Sequence, residues 1–113
     1  MNFQKTNMNL LLLSEIKMNP EFLIIYRQNL DTAINAMKAC NQRLVTAYNS
    51  TPESNPIKRL KISSSSSLLV EHIKTIEWVK NKLHLESATS TYRQLVENKH
   101  YEKIIKGAES VLE

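Results

Sequence analysis

Cys40, Asp31, His72, His84 and His100 are the side chains whose types suit nucleophilic attack, proton transfer or metal binding, and their spacing points away from all three. A zinc site takes close Cys, His or acidic ligands at short, recurring intervals. The histidines stand 12 and 16 residues apart, with no Cys or Asp to complete a set. Glu71-His72 lacks the second histidine of H-E-x-x-H. Gly107 is the only glycine, so neither G-x-G-x-x-G nor a phosphate-cradling P-loop is present. A reactive thiolate needs a neighbouring base or a helix N-terminus. Cys40 has neither nearby in sequence and falls on an apolar spacing, where a small buried residue is wanted. Asp31 follows Arg27 by four residues, the interval of a surface ion pair on a helix. The expectation is a non-enzymatic protein with no cofactor and no metal.

The elements around these residues read as helices. Beta-rich folds consume Gly and Pro in tight turns, and this chain has one glycine and three prolines. Asn7 suits the cap of a short first helix through Leu10–Leu13 and Ile16. That apolar run is too short for a signal peptide or a membrane span, and Glu15 and Lys17 interrupt it. Asn19-Pro20-Glu21 then combines an N-cap residue, proline at the first helical position and an acid in the first turn. No breaker follows before Asn49-Ser50-Thr51-Pro52, so a long second helix is expected. Leu23, Tyr26, Leu30, Ala33, Met37, Cys40, Leu44 and Ala47 repeat along it at intervals of three and four, the spacing of a coiled-coil or bundle seam. Ile34 and Tyr48 widen that stripe.

Residues 49–67 contain Pro52, Pro56 and the serine run Ser63–Ser67, a composition that predicts a flexible linker. Ser67 is expected to cap a third helix with Leu69, Ile73, Ile76, Val79 and Leu83 on one side and Trp78 beside them. Glu71–Lys74 and Glu77–Lys80 are expected as pairs on its wet face. Residues 86–90 should interrupt the helical pattern. A short fourth helix would carry Tyr92, Leu95 and Val96, and a fifth Tyr101, Ile104, Ile105, Ala108, Val111 and Leu112. Gly107 would allow close approach of a neighbouring helix. The fold class is thus all-α, an elongated helical hairpin or coiled-coil-like bundle with short C-terminal helices, in a single helical domain over residues 1–113.

Ile76-Glu77-Trp78-Val79-Lys80-Asn81-Lys82-Leu83 with Tyr92-Arg93-Gln94-Leu95-Val96 resembles the middle of a paired amphipathic helix domain of transcriptional corepressors. The likeness covers residues 76–96, rests on amphipathic spacing, and implies packed amphipathic helices and no residue roles.

Charge and cysteine content bound the function. Of the net charge of +4, +2 falls in residues 49–67, where Lys58, Arg59 and Lys61 face only Glu53. In an extended linker these three would form a nuclear-import signal, or touch phosphates in an auxiliary way. The sole cysteine forbids an internal disulfide and points to a reducing, intracellular compartment, with a nuclear location favoured over a cytoplasmic one. The sequon Asn49-Ser50-Thr51 would matter only in a secreted protein. The functional expectation is a helical adaptor or assembly subunit, with no membrane role, whose partner, or second copy, packs on Leu23, Tyr26, Leu30, Met37, Leu44, Ile76, Val79 and Leu83. The alternative is a nuclear nucleic-acid-associated factor using the basic segment 57–61. Helix faces too apolar for so short a chain to cover by itself motivate the first.

Overall fold

The structure, a computed structural model, describes residues 20–113, so the expected first helix and its Asn7 cap lie outside the described residues. The described chain is all-α, with four α-helices and no strand. Helix α1 spans Pro20–Ser50, 31 residues or about 46 Å. It begins at the proline that the sequence marks as a first helical position. At its end, Ser50 Oγ and Thr51 Oγ1 donate to the carbonyls of Thr46 and Ala47, at 2.9 and 2.7 Å.

Helix α2 spans Pro56–Asn81 and corrects the linker expectation. Only Thr51–Asn55 remains between the two long helices. Asn55 Oδ1 accepts from the Lys58 N–H at 3.3 Å and Pro56 occupies the first turn. This is the same Asn-Pro start that opens α1 in the sequence. The serine run is helical because its neighbours Ile62 and Leu69 are buried, Ile62 completely. Tertiary burial outweighs the weak helix preference of serine, which is well under 1 kcal/mol per residue.

A loop of five residues forces α2 to run antiparallel to α1. The cross-helix pairs confirm it, since partners on α2 fall in number as those on α1 rise. Asp31 meets Lys80 at 2.6 Å, Lys38 meets Glu77 at 3.8 Å, Asn41 accepts from Ser66 at 2.6 Å, and Arg59 sits 4.3 Å over the Tyr48 ring. These pairs replace the expected Arg27–Asp31 and Glu77–Lys80 contacts, while Glu71–Lys74 is present at 3.4 Å.

The chain turns at Lys82–Leu85 rather than at 86–90, which is helix α3, Glu86–Tyr92. Buried Thr89 ties the turn by donating its hydroxyl to the carbonyls of Leu83 and Leu85. A π-helical stretch, Arg93–Glu97, follows directly. Then come α4, His100–Glu109, and a 3-10 turn, Ser110–Leu112. These pieces run alongside α1 in the same direction. Asn29 donates to the Tyr92 hydroxyl at 2.9 Å, Cys40 Sγ approaches the Ile105 carbonyl at 4.0 Å, and Arg43 pairs with Glu109. The architecture is therefore an elongated up-down-up bundle. Its third rod is built from the short C-terminal helices, residues 86–112, about the last quarter of the chain. The core joins Leu30, Ala33, Met37, Cys40 and Leu44 to Ile62, Leu69, Ile73, Ile76 and Val79, and to Tyr92, Val96 and Ala108.

Two backbone details concern the third rod. A β-carbon added at Gly107 meets nothing within 4 Å, so this glycine serves no close helix approach. Lys99 joins the π-helical stretch to α4 in the left-handed region, φ 56°, which costs a side-chain-bearing residue about 1 kcal/mol. Lys99→Gly relieves that strain but adds freedom to the unfolded chain, so the melting temperature is expected to rise by about 4 °C at most, read by circular dichroism. A lowered value would mean that the lysine side chain itself holds the junction.

Candidate protein-interaction surface

The residues expected to face a partner are brought together, but inside the chain. Leu30, Met37, Leu44, Ile76, Val79 and Leu83 are buried in one core, and Leu23 and Tyr26 pack partly buried against it. Tyr26 lies 4.5 Å from Tyr92, ring centre to ring centre. The α1 stripe is wide enough to serve two neighbours at once, α2 on one side and the C-terminal rod on the other. The chain thus covers the faces that seemed to exceed its own means. Cys40 is fully buried, and burial, helped by the charge of Glu109, pushes its thiol up, away from nucleophilic use. Burial likewise pushes the Tyr92 phenol up, against the lowering effect of its Asn29 hydrogen bond.

The surface left over is on α2. Ile57, Leu60 and Leu68 are 69%, 67% and 62% exposed. Their intervals of three and eight, with exposed Ser64 between the last two, place 57, 60, 64 and 68 on one helix face. Glu71, Thr75 and Trp78, all exposed, continue that face at intervals of three and four. Single exposed apolar residues are ordinary on protein surfaces. A ridge of three large ones along about 16 Å of one helix, opposite buried Ile62, is a contact surface in shape. Further exposed apolar residues are Phe22, Ile24 and Ile25, within two turns of Pro20, and Val45. Reading α2 onward from the Asn55-Pro56 cap exposes the 57-60-64-68 spacing in the sequence. Treating 49–67 as linker hides it.

Lys58, Arg59 and Lys61 do not form the extended basic strand expected of them. They occupy the first two turns of α2, with Lys58 and Lys61 one turn apart on one side and Arg59 on another. Arg59 lies over Tyr48 beside an open cleft of about 420 Å³ lined also by Glu53, Pro56, Leu60 and Ser63. Lys58 borders Ala47, Thr51 and Leu112, and Lys58 and Lys61 together border Ile57, Ser110 and Val111. A basic patch for phosphates requires its cations to share a face; Lys58 and Lys61, one turn apart, do so, whereas Arg59 turns away over Tyr48. Among the described residues no group of three His, Cys, Asp or Glu side chains could hold a metal ion, and no helix is long and apolar enough to cross a membrane.

No protein-family model matches the chain, and no curated protein or solved structure matches it significantly.

Proposed function

We propose that the chain is a non-enzymatic helical adaptor or assembly subunit, and that its protein-contact surface is the outward face of α2. One observation carries this: the bundle satisfies its own core, yet α2 still presents Ile57, Leu60 and Leu68 to solvent at helical spacing. Helix-in-groove and helix-on-helix recognition both use anchors at such intervals. The role in assembly is the one the sequence suggests, moved from the buried α1 seam to the opposite side of its neighbour. A nuclear nucleic-acid role receives less support, because only Lys58 and Lys61 share a side of α2 while Arg59 lies over Tyr48. A carrier that reads an extended basic segment would first have to unwind the start of that helix.

The test is a comparison of tagged wild type with Leu60→Glu as baits in native extract, with bound proteins identified by mass spectrometry. Because Leu60 is exposed, the substitution leaves folding intact, while a charge forced into an apolar contact weakens it more than tenfold, at about 2 kcal/mol or more. Partners retained by wild type at moderate salt and lost by Leu60→Glu support the proposal. Identical capture by both baits would remove the outer face of α2 as the contact surface, and capture that vanishes with salt and nuclease would favour nucleic acid.

A further inference from the structure

We infer that the outer face of α2 takes a second copy of the same chain, with the two α2 helices packed antiparallel, an inference that rests on reading that face as a protein-contact surface. The pattern on the ridge is its own complement. Placing Leu60 of one copy opposite Ser64 of the other also places Ile57 opposite Leu68, because both pairings share one midpoint near residue 62. The large side chains at the two ends meet each other, and in the middle a leucine meets a serine small enough to admit it. The four positions therefore specify a twofold contact, in which each residue finds its complement at the symmetry-related place.

Charge supports the same direction. The first turn of α2 carries basic residues and no acid, so the positive end of the helix dipole is uncompensated within that turn. Residues 49–67 remain basic even with Glu53 counted. In the antiparallel register, Glu71 lies one turn past Leu68, and a helical glutamate leans toward its own N-terminus. That lean carries its carboxylate, which within one chain meets exposed Lys74 at 3.4 Å, toward the start of the other copy's α2. A parallel pairing would instead set the two basic helix starts side by side. The ridge is short, and a contact this size falls below the roughly 1,200 Å² of standard interfaces, so the association is weak and reversible.

Sedimentation equilibrium of the purified full chain, from about 1 to 500 µM, is expected to show mass rising from monomer toward dimer. Leu60→Glu should weaken dimerisation more than tenfold while its melting curve stays that of wild type. A photo-activatable residue at position 60, in a mixture of light- and heavy-isotope chains, should cross-link between copies to peptides around Ser64. A monomer at every concentration overturns the inference. So does a cross-link within one chain to residues 1–19, which would make that segment the occupant, or a dimer cross-linked elsewhere, which would mean another interface. If the chain is monomeric yet Leu60→Glu still loses a partner from extract, the second copy is excluded and the adaptor proposal stands. If neither assay responds to Leu60→Glu, both fall.

Discussion

Ile62→Ala lowers the melting temperature of the protein by about 10 °C or more, whereas Leu60→Ala, two residues away, changes it by a few degrees at most. Ile62 is completely buried and Leu60 is 67% exposed. Truncating a buried isoleucine to alanine removes its transfer free energy and leaves a cavity, together about 2–5 kcal/mol. In a domain of this size each kcal/mol corresponds to about 4–8 °C. Exposed Leu60 has little burial to lose, so its truncation falls within the ordinary surface range of about 0.5 kcal/mol. The contrast also tests the secondary structure. In a flexible linker both positions would be silent, because neither side chain would leave water on folding. Thermal denaturation by circular dichroism decides between the two, and equal melting temperatures would return residues 56–67 to a loop.

The same residues show what the sequence makes legible and what it hides. Helix α1 can be read from its proline start and unbroken three-four spacing, because one long apolar stripe with no competing breaker leaves a single periodic solution. The start of α2 carries an equivalent mark in Asn55-Pro56, but the five serines downstream read as low complexity. What overrides them is the contact of Ile62 and Leu69 with the core, which local sequence does not display. The core itself was legible: Leu30, Met37, Leu44, Ile76 and Val79 stand where their spacing puts them. Its partner was not. A heptad stripe states that a face will be buried and is silent on whether the chain or another molecule buries it. The added width from Ile34 and Tyr48 was the clue to a third rod, since one opposing helix needs only the narrow seam. The outer ridge of α2 became visible once residues 57–68 were known to be helical, because the intervals among Ile57, Leu60, Ser64 and Leu68 mean nothing in a loop.

Met37→Glu abolishes cooperative folding of the isolated chain, and Lys38→Glu does not. Met37 is completely buried, one turn from Ala33 and Cys40 on its own helix, in the core shared with α2 and the C-terminal rod. A carboxylate there has no cation to meet, and an unpaired buried charge costs several kcal/mol. Domains of this kind hold only about 5–15 kcal/mol in total, so the substitution consumes much or all of the margin. At Lys38 the side chain is exposed and its contact with Glu77, at 3.8 Å, is worth about 0–1 kcal/mol. Reversing that charge should cost no more than a comparable amount. The damage at position 37 should also ease on acidification. Burial raises the pKa of the introduced carboxyl in the folded state above its unfolded value, so the folded state binds the proton more readily. Stability then falls as pH rises from the unfolded value through the raised folded one, and is regained as pH drops back through that window to the unfolded value. Far-ultraviolet melting at neutral and mildly acidic pH, with tryptophan fluorescence from Trp78 as a second probe, measures this on the single substituted chain. If the α1 stripe were instead a face reserved for another molecule, Met37→Glu would melt like wild type and lose only its partner. A wild-type melting curve for Met37→Glu would therefore move the α1 seam from the core of the bundle back to its surface.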